Sequence, residues 1–436
     1  MILRPSPRTR YRVLVIAEAA NPEWASVPLI GWNLSQALAK VADTHLVTHV
    51  RNRTAILKEG LVEGRDFTAI DNEQVAAPLY KLAEKLRGGA GKGWTMSTAF
   101  SSIAYYSFEA QLWRQFRDRL ISGEFDIVHR ITPLSPTSQS LIAKRLAKIR
   151  VPFVIGPLNG GLPWPKNFRS RQLAEHEWLS TLRGLFRLMP AYRSTRRNSS
   201  AILVGSQFTY EQMPEAVKSK CFYIPENGVD LDSLGTEQAR VPVFPLRVAF
   251  VGRLVPYKGA DILLEAAKDS LLAGKLELHI IGDGPERLSL ETLARELNVE
   301  RATTFHGWLP HEAVQKKLQM CDFLALPSIR EFGGGVVIEA MALGVTPIVA
   351  NYGGPAELVD DETGVRVAFT DKSSLVDGFR KAIARTLEAP EMLLKTGPAA
   401  RRKVGEKLTW DAKAGQILQI YNSVMTGSKL QNVVKF

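Results

Sequence analysis

The sequence predicts an α/β protein of two domains, each built on a parallel sheet. Three observations carry that reading. At 436 residues the chain is longer than one hydrophobic core of ordinary size can organise, so two domains of roughly 200 residues each are expected. From Arg247 onward, short apolar runs alternate with stretches of helical period, the pattern of βαβ units with right-handed crossovers. Glycines and prolines gather just after the apolar runs, where open α/β sheets build their ligand sites.

In the first half, the apolar run Val13–Ala17 reads as a strand, leading through a loop with Pro22, Pro28 and Gly31 into a helix over Trp32–Ala39. A second strand is expected at Phe125–His129, followed by the proline-rich turn Thr132–Pro136 and a helix over Ser138–Ile149. Phe153–Ile155 reads as a strand ending in Gly156-Pro-Leu-Asn-Gly-Gly161, and Ala201–Val204 as another before Ser206. Periodicity is weak over 72–102, and no element is assigned there. The polar, proline-bearing stretch Gly235–Pro245 marks the boundary, giving domains 1–238 and 239–408 and a C-terminal piece 409–436. In the second half, strands are expected at Arg247–Val251, Leu276–Ile281, Ala302–His306, Phe323–Leu326 and Thr346–Ala350. Helices over Gly259–Lys268, Arg287–Leu297, Ala313–Met320 and Val336–Leu343 separate them.

Hydrophobic residues make up 45% of the chain and charged residues 23%, which excludes a disordered protein. No apolar run reaches the length of about 18 residues that spans a bilayer. The N-terminus is basic, and Val13–Ala17 is too short for a signal-peptide core, so a cytoplasmic protein is expected. Cys221 and Cys321 stand far apart without metal-ligand spacing, which points to a reducing compartment and no structural zinc. The net charge of +12 is unevenly placed. Residues 1–240 hold 32 Lys and Arg against 21 Asp and Glu, whereas 241–436 hold 24 against 23. A basic first half suits anionic lipid headgroups, a phosphorylated acceptor or nucleic acid; the plain alternative is a positive, solvated surface. The run Trp178–Ser200 concentrates this charge, with Arg183, Arg187, Arg193, Arg196 and Arg197 among Leu179, Leu182, Leu185, Phe186 and Leu188. It reads either as a membrane-surface helix or as a core-facing helix with a basic rim.

The chemistry-bearing residues lie mostly in the second half. Glu331 follows a strand end and Glu339 sits in the next helical run, with Gly333, Gly334 and Gly335 between them. A glycine turn entering a helix presents bare N–H groups to a phosphate. Carboxylates before and after it can accept hydrogen bonds from hydroxyls on either side of a diphosphate. Arg253 and Lys258, in Gly252-Arg-Leu-Val-Pro-Tyr-Lys-Gly259, are placed to neutralise such a group; as isolated residues they would be incidental surface charges. Gly282-Asp-Gly-Pro285 is turn punctuation on its own and lacks the third glycine of a dinucleotide fingerprint. His306-Gly-Trp-Leu309 could line a base pocket or simply turn the chain. Asp230-Leu-Asp232 has the form of a divalent-metal motif, but its context after Pro225-Glu-Asn-Gly-Val229 reads as a turn.

Val248 to about Arg366 resembles the C-terminal domain of retaining glycosyltransferases of family 4, which have the GT-B fold. The resemblance rests on Gly252-Arg-Leu, Lys258-Gly259, Gly282-Asp-Gly-Pro, His306-Gly and Pro327-Ser, all in order. Most specific are Glu331 to Glu339, then Ala340-Met-Ala-Leu-Gly-Val-Thr-Pro-Ile-Val349 and Gly353-Gly-Pro-Ala-Glu357. It implies two facing Rossmann-like domains with a deep cleft between them, residues 1–238 binding the acceptor and 239–408 the nucleotide-sugar. The helix in 409–436 would cross back to the N-terminal domain. Donor contacts are implied for Gly31, Arg253, Lys258, Gly282, Gly284, His306, Glu331, Gly333, Gly334, Gly335, Val336 and Glu339, with Glu331 on the sugar and Glu339 on the ribose. His129 matches a histidine near the acceptor and reacting sugar, the plain alternative being a satisfied strand-end histidine. Asn159 and Gly160 would line the acceptor site.

What the resemblance implies is a metal-independent, retaining transfer of a sugar from a UDP- or GDP-type donor to an acceptor hydroxyl. No cofactor is expected beyond that substrate. Glu331, His129, Arg253 and Lys258 would be the catalytic set. Polysaccharide or glycolipid biosynthesis is the expected setting, with a saccharide or lipid-linked acceptor, peripheral contact with an anionic membrane, and no nucleic-acid partner. Two other readings stay open: an epimerase or hydrolase of nucleotide-sugars on the same fold, and a non-catalytic nucleotide-sugar-binding protein.

Overall fold

The structure, a computed structural model, describes residues 10–78, 94–169, 171, 187–234 and 241–428. The chain divides into two units. The first comprises Met1–Gly161, Glu177–Glu226 and Trp410–Phe436; the second comprises Leu162–His176 and Asn227–Thr409. The division falls between Glu226 and Asn227, upstream of the expected boundary at 238/239.

The first unit carries a seven-stranded sheet: β1 (Arg12–Ala17), β2 (Asp43–His49), β3 (Phe67–Ile70), β4 (Ile127–Thr132), β5 (Phe153–Leu158), β6 (Ala201–Val204) and β7 (Cys221–Tyr223). Their order is β3-β2-β1-β4-β5-β6-β7, and every pairing is parallel. Val13 to Ala17 are wholly buried because both faces of this central strand are covered. Val13, Val15 and Ala17 face one core, with the helices Val27–Val41 and Trp410–Thr426. Leu14 and Ile16 face the other, with the helix Trp94–Ile121, whose Tyr105, Phe108, Leu112, Phe116 and Leu120 recur at helical spacing.

The second unit carries six strands: β8 (Leu246–Val251), β9 (Leu276–Ile281), β10 (Thr303–Gly307), β11 (Phe323–Leu326), β12 (Thr346–Ala350) and β13 (Val365–Val367). Their order is β10-β9-β8-β11-β12-β13, again parallel. Both sheets therefore have the Rossmann strand order and reverse direction of winding beside their first strand, between β1 and β4 and between β8 and β11. Such switch points open crevices at the carboxyl ends of the strands. The predicted α/β class of two Rossmann-like, parallel-sheet domains is the observed one.

Several elements differ from the sequence reading. The first helix starts at Val27 instead of Trp32, so Gly31 lies inside it. The strand expected at Phe125–His129 runs Ile127–Thr132, and the helix expected over Ser138–Ile149 is the shorter Ile142–Lys148. β2, β3, β7 and β13 went unread. The segment Leu162–His176 belongs to the second unit because Trp164 and Phe168 are buried in that unit's core and Arg171 pairs with Asp261. Among the described residues, no helix is long and apolar enough to cross a membrane. Arg183, Leu179, Leu182, Leu185 and Phe186 of the basic run lie outside the described residues.

Candidate functional site

In the second unit, the loops leaving β8, β9 and β10 are laced together by backbone hydrogen bonds. Gly252 N donates to Ile281 O at 3.0 Å, Leu254 N to Asp283 O at 2.9 Å, and Gly282 N to Gly307 O at 2.8 Å. Glycine is required where these loops meet. A Cβ on Gly282 would stand 2.0 Å from Gly252 O, and one on Gly284 would stand 2.4 Å from Leu254 O. Gly282, with φ near 136°, also adopts a backbone that L side chains rarely take. These two expected donor-binding glycines thus have a packing role of their own: they let three loops converge.

Across the switch point, Ile329 N donates to Tyr257 O at 2.9 Å, tying the loop after β11 to the 3₁₀ turn Pro256–Lys258. Glu331 is fixed from the other side, its carbonyl accepting from Gly354 N at 3.0 Å. The result is a direct ion pair between Lys258 Nζ and Glu331 Oε2, both largely enclosed. Burial disfavours the charged amine, but the charge and hydrogen bond of Glu331 more than offset that, so Lys258 is held above its ordinary pKa. Arg253 is exposed and makes no ion pair among the described residues. One cation of this crevice is therefore held by a carboxylate and the other points into solvent.

Gly334, left-handed at φ 60°, precedes the helix Gly335–Ala342, whose N-terminus has no side-chain cap. Val337 N and Ile338 N both donate back to Gly334 O, at 2.9 and 3.3 Å, so the N–H groups that the first turn offers to an anion are those of Gly335 and Val336, with Gly333 before them. Val336 stands in that first turn, partly exposed. Glu339 follows one turn later and meets His311, Nε2 to Oε1 at 3.2 Å, which raises the His311 pKa. His311 escaped the sequence reading because a lone histidine at a helix start gives no sign of its partner 28 residues away. Arg330 was missed as well. It is buried, donates to Leu162 O at 3.2 Å and lies over the rings of Trp164 and Phe332, anchoring the segment beside Glu331.

His306 is committed to the sheet. Its Nε2 lies 3.0 Å from Nδ1 of His279, and the rings stack at 5.3 Å. Burial lowers both pKa values, so two neutral imidazoles share one N–H···N bond. The neighbouring Trp308, 74% exposed, is the side chain that faces outward here.

The first-unit candidates are each engaged by partners within their own unit. His129 is fully buried, with Tyr421 Oη 2.6 Å from Nδ1 and Gly156 O 2.8 Å from Nε2. The carbonyl can only accept, so Nε2 carries the proton and Nδ1 accepts from Tyr421. Burial depresses the His129 pKa to about 4. Sealed and neutral, this histidine ties its strand to the helix Trp410–Thr426 and to β5 at Gly156. Gly31 is likewise a packing glycine, since a Cβ there would lie 2.0 Å from Ala19 O. Asn159 is buried and spent on the fold: its amide donates to Glu226 Oε1 at 2.8 Å, and its oxygen accepts from Ser206 Oγ and from Gly160 N, both at 2.8 Å. Asp230 Oδ1 accepts from Asp232 N at 3.0 Å, the Asx turn expected of that motif.

Residues 237–403 match the family described as glycosyl transferases group 1. Over 189 residues the chain is 33% identical to D-inositol 3-phosphate glycosyltransferase of Segniliparus rotundus, covering 42% of this chain and 41% of that protein. Over 205 residues it is 30% identical to glycogen synthase of Mycobacterium tuberculosis, covering 47% of this chain and 49% of that protein. In these alignments the chain spans about half the length of the relatives it matches. Among solved structures, a glycosyltransferase from Rickettsia africae superposes with TM-score 0.61 at 15% identity, over 97% of this chain and all of that one. Anabaena HepE in complex with UDP superposes with TM-score 0.60 at 16% identity, over 94% of this chain and all of that one. The fold shared with these neighbours is GT-B.

Proposed function

We propose that this chain is a family 4 glycosyltransferase that moves a sugar, with retained configuration, from a nucleoside-diphosphate-sugar to an acceptor hydroxyl. The observation that carries the reading is the convergence of Arg253, Lys258 and Glu331 with the uncapped helix at Gly335 on one switch-point crevice. A diphosphate seated on the helix N-terminus takes Lys258 from Glu331. The carboxylate released from that pair then accepts hydroxyls of the transferred sugar, and Glu339 accepts those of the ribose. Negative charge grows on the departing diphosphate, and Arg253 and Lys258 stabilise it without a metal ion. The leaving oxygen receives the acceptor proton on the same face, so no protein nucleophile is needed. UDP is the first nucleotide to test, with GDP next. The acceptor is a saccharide or lipid-linked hydroxyl of polysaccharide or glycolipid synthesis, reached from the cytoplasmic side with the basic first half against anionic lipid.

The test is transfer from a panel of nucleotide-sugars, with nucleotide binding measured by calorimetry. Glu331→Gln and Lys258→Ala are each expected to lower transfer by roughly a hundredfold or more while leaving the unfolding transition in place. Parental turnover in either variant would sink the assignment.

A further inference from the structure

A cavity of about 620 Å³ in the first unit is lined by residues of the helices Tyr192–Asn198, Gln207–Glu211 and Glu215–Lys218. Arg187, Arg193, Arg196, Arg197 and Lys220 line it, against Glu211 as the one acidic residue among the described residues of its wall. None of the four arginines is ion-paired among the described residues: Arg187 donates to the neutral amide oxygen of Gln212 at 2.7 Å, and Arg193 and Arg197 are exposed. Arg196 is only 3% exposed and donates to Gln139 Oε1 at 2.7 Å, Pro136 O at 2.9 Å and Tyr192 O at 3.2 Å. Its guanidinium lies 3.8 Å over the Tyr192 ring, and its buried Nε has no acceptor.

A second buried guanidinium adds to the field. Arg130 is fully enclosed, bonded to Ser138 O and Ser140 Oγ, while its Nε and Nη2 have no acceptor. Burial above all, helped by the charges of Arg130 and Arg187 and opposed by Tyr192 and Cys221, brings the Arg196 pKa down to about 10. Arg130 has the buried carboxylate of Glu109 near enough for its charge to be felt, but burying Arg196 against neutral hydrogen-bond acceptors is unfavourable. The fold nonetheless places Arg196 with Arg187, Arg193, Arg197 and Lys220 around a hollow of small-molecule size. Several planar forks converging on one space suit a group with three or more oxygens and more than one negative charge. Met213 and Val217 supply an apolar wall beside them.

We propose that this cavity binds a phosphoryl group, carried by a phosphorylated small molecule or by a lipid headgroup, at a site separate from the glycine turn of the second unit. The proposal does not depend on the glycosyltransferase reading. Stacking readout of nucleic acid finds no platform here, since Tyr192 already lies under Arg196.

The experiment uses the full chain with Arg253→Ala and Lys258→Ala installed, so that the second unit does not compete for the probe. Inorganic pyrophosphate is titrated calorimetrically, and flotation is measured with phosphatidylcholine vesicles with and without phosphatidic acid. Adding Arg193→Gln and Arg197→Gln, both at exposed positions, preserves the unfolding transition and is expected to weaken the bound probe at least tenfold. Arg196→Lys keeps the charge but loses the fork, and is expected to weaken it by a smaller factor. Pyrophosphate binding lost in the Arg193/Arg197 variant assigns the site to a soluble phosphoryl ligand. Phosphatidic acid flotation lost in that variant, without pyrophosphate heat, assigns it to a lipid phosphate. Unchanged affinity of the variant for both probes, or no binding of either by the parent, overturns the proposal.

Discussion

Lys258 and His129 are both enclosed side chains that can carry a proton, and their partners give them opposite fates. Lys258 faces a carboxylate and stays charged; His129 faces a hydroxyl and a carbonyl and stays neutral. The family resemblance marks both positions as catalytic; Lys258 lies in the crevice of the second unit, and His129 in the core of the first. A sequence motif places a histidine at a strand end but does not say which face of the strand it takes, and here that face is the core. The neutral state has a pH consequence. His129 has a folded pKa of about 4 against an ordinary value near 6.5, so the unfolded chain binds its proton first as pH falls. Its contribution to stability is therefore present above about 6.5 and is lost as pH drops toward 4. Burial lowers His45 and His49 in the same direction, while Glu18, pushed up to about 7, works in the opposite sense. Comparing variant with parent isolates His129. Urea unfolding of His129→Phe between pH 4 and 7 is expected to show a shallower loss of stability with acid than the parent; an identical slope would refute a buried neutral imidazole. Tyr421→Phe, which orphans Nδ1, is expected to cost about 1–3 kcal/mol at pH 7.

At the level of elements, the second unit was legible because its strands are short continuous apolar runs and its glycines fall at their ends. The first unit was less so, for identifiable reasons. β2 reads Asp-Thr-His-Leu-Val-Thr-His, and its histidines hide the pattern by acting as core aromatics: His45 packs against Phe116 and Phe125, and His49 against Phe108. β3 and β7 are only four and three residues long, too short for periodicity to register. Glycines around the crevice divide into two kinds that sequence alone does not separate. Gly282 admits a neighbouring carbonyl, whereas a Cβ on Gly335 would first meet Asn227 Oδ1 at 3.4 Å, an ordinary contact. Gly282→Ala is therefore expected to destabilise the protein by about 2–4 kcal/mol. Gly335→Ala lies in a helical turn and is expected to keep or slightly raise stability, by up to about 1 kcal/mol, while weakening UDP binding by crowding the cradle. Thermal unfolding and calorimetry on the two variants separate the roles; equal stability losses would remove the distinction.

For the whole molecule, the units are not continuous lengths of chain. Leu162–His176 leaves the first half to place Trp164 and Phe168 in the second unit's core. Trp410–Thr426 returns to the first, where Ala414, Ile417, Ile420 and Tyr421 are wholly buried and Tyr421 holds His129. Each unit thus depends on a segment remote in sequence, and cutting at the apparent boundaries removes core. A chain ending at Thr409 loses four fully buried side chains from a core that also holds Trp32, Leu34 and Leu38 of the helix Val27–Val41. Loss of one large buried side chain typically costs several kcal/mol, and a domain's whole stability is only about 5–15 kcal/mol. The first unit should therefore not stay folded in the truncated chain, although most of its residues remain. The second unit keeps every element of its own, including Lys258, Glu331 and the helix at Gly335. Differential scanning calorimetry of the 1–409 chain is expected to show one unfolding transition retained and the other absent, with proteolysis confined to residues 10–161 and 187–226. Two transitions at parental temperatures would show that the returning helix is dispensable, and that the first unit's stability lies in its sheet alone.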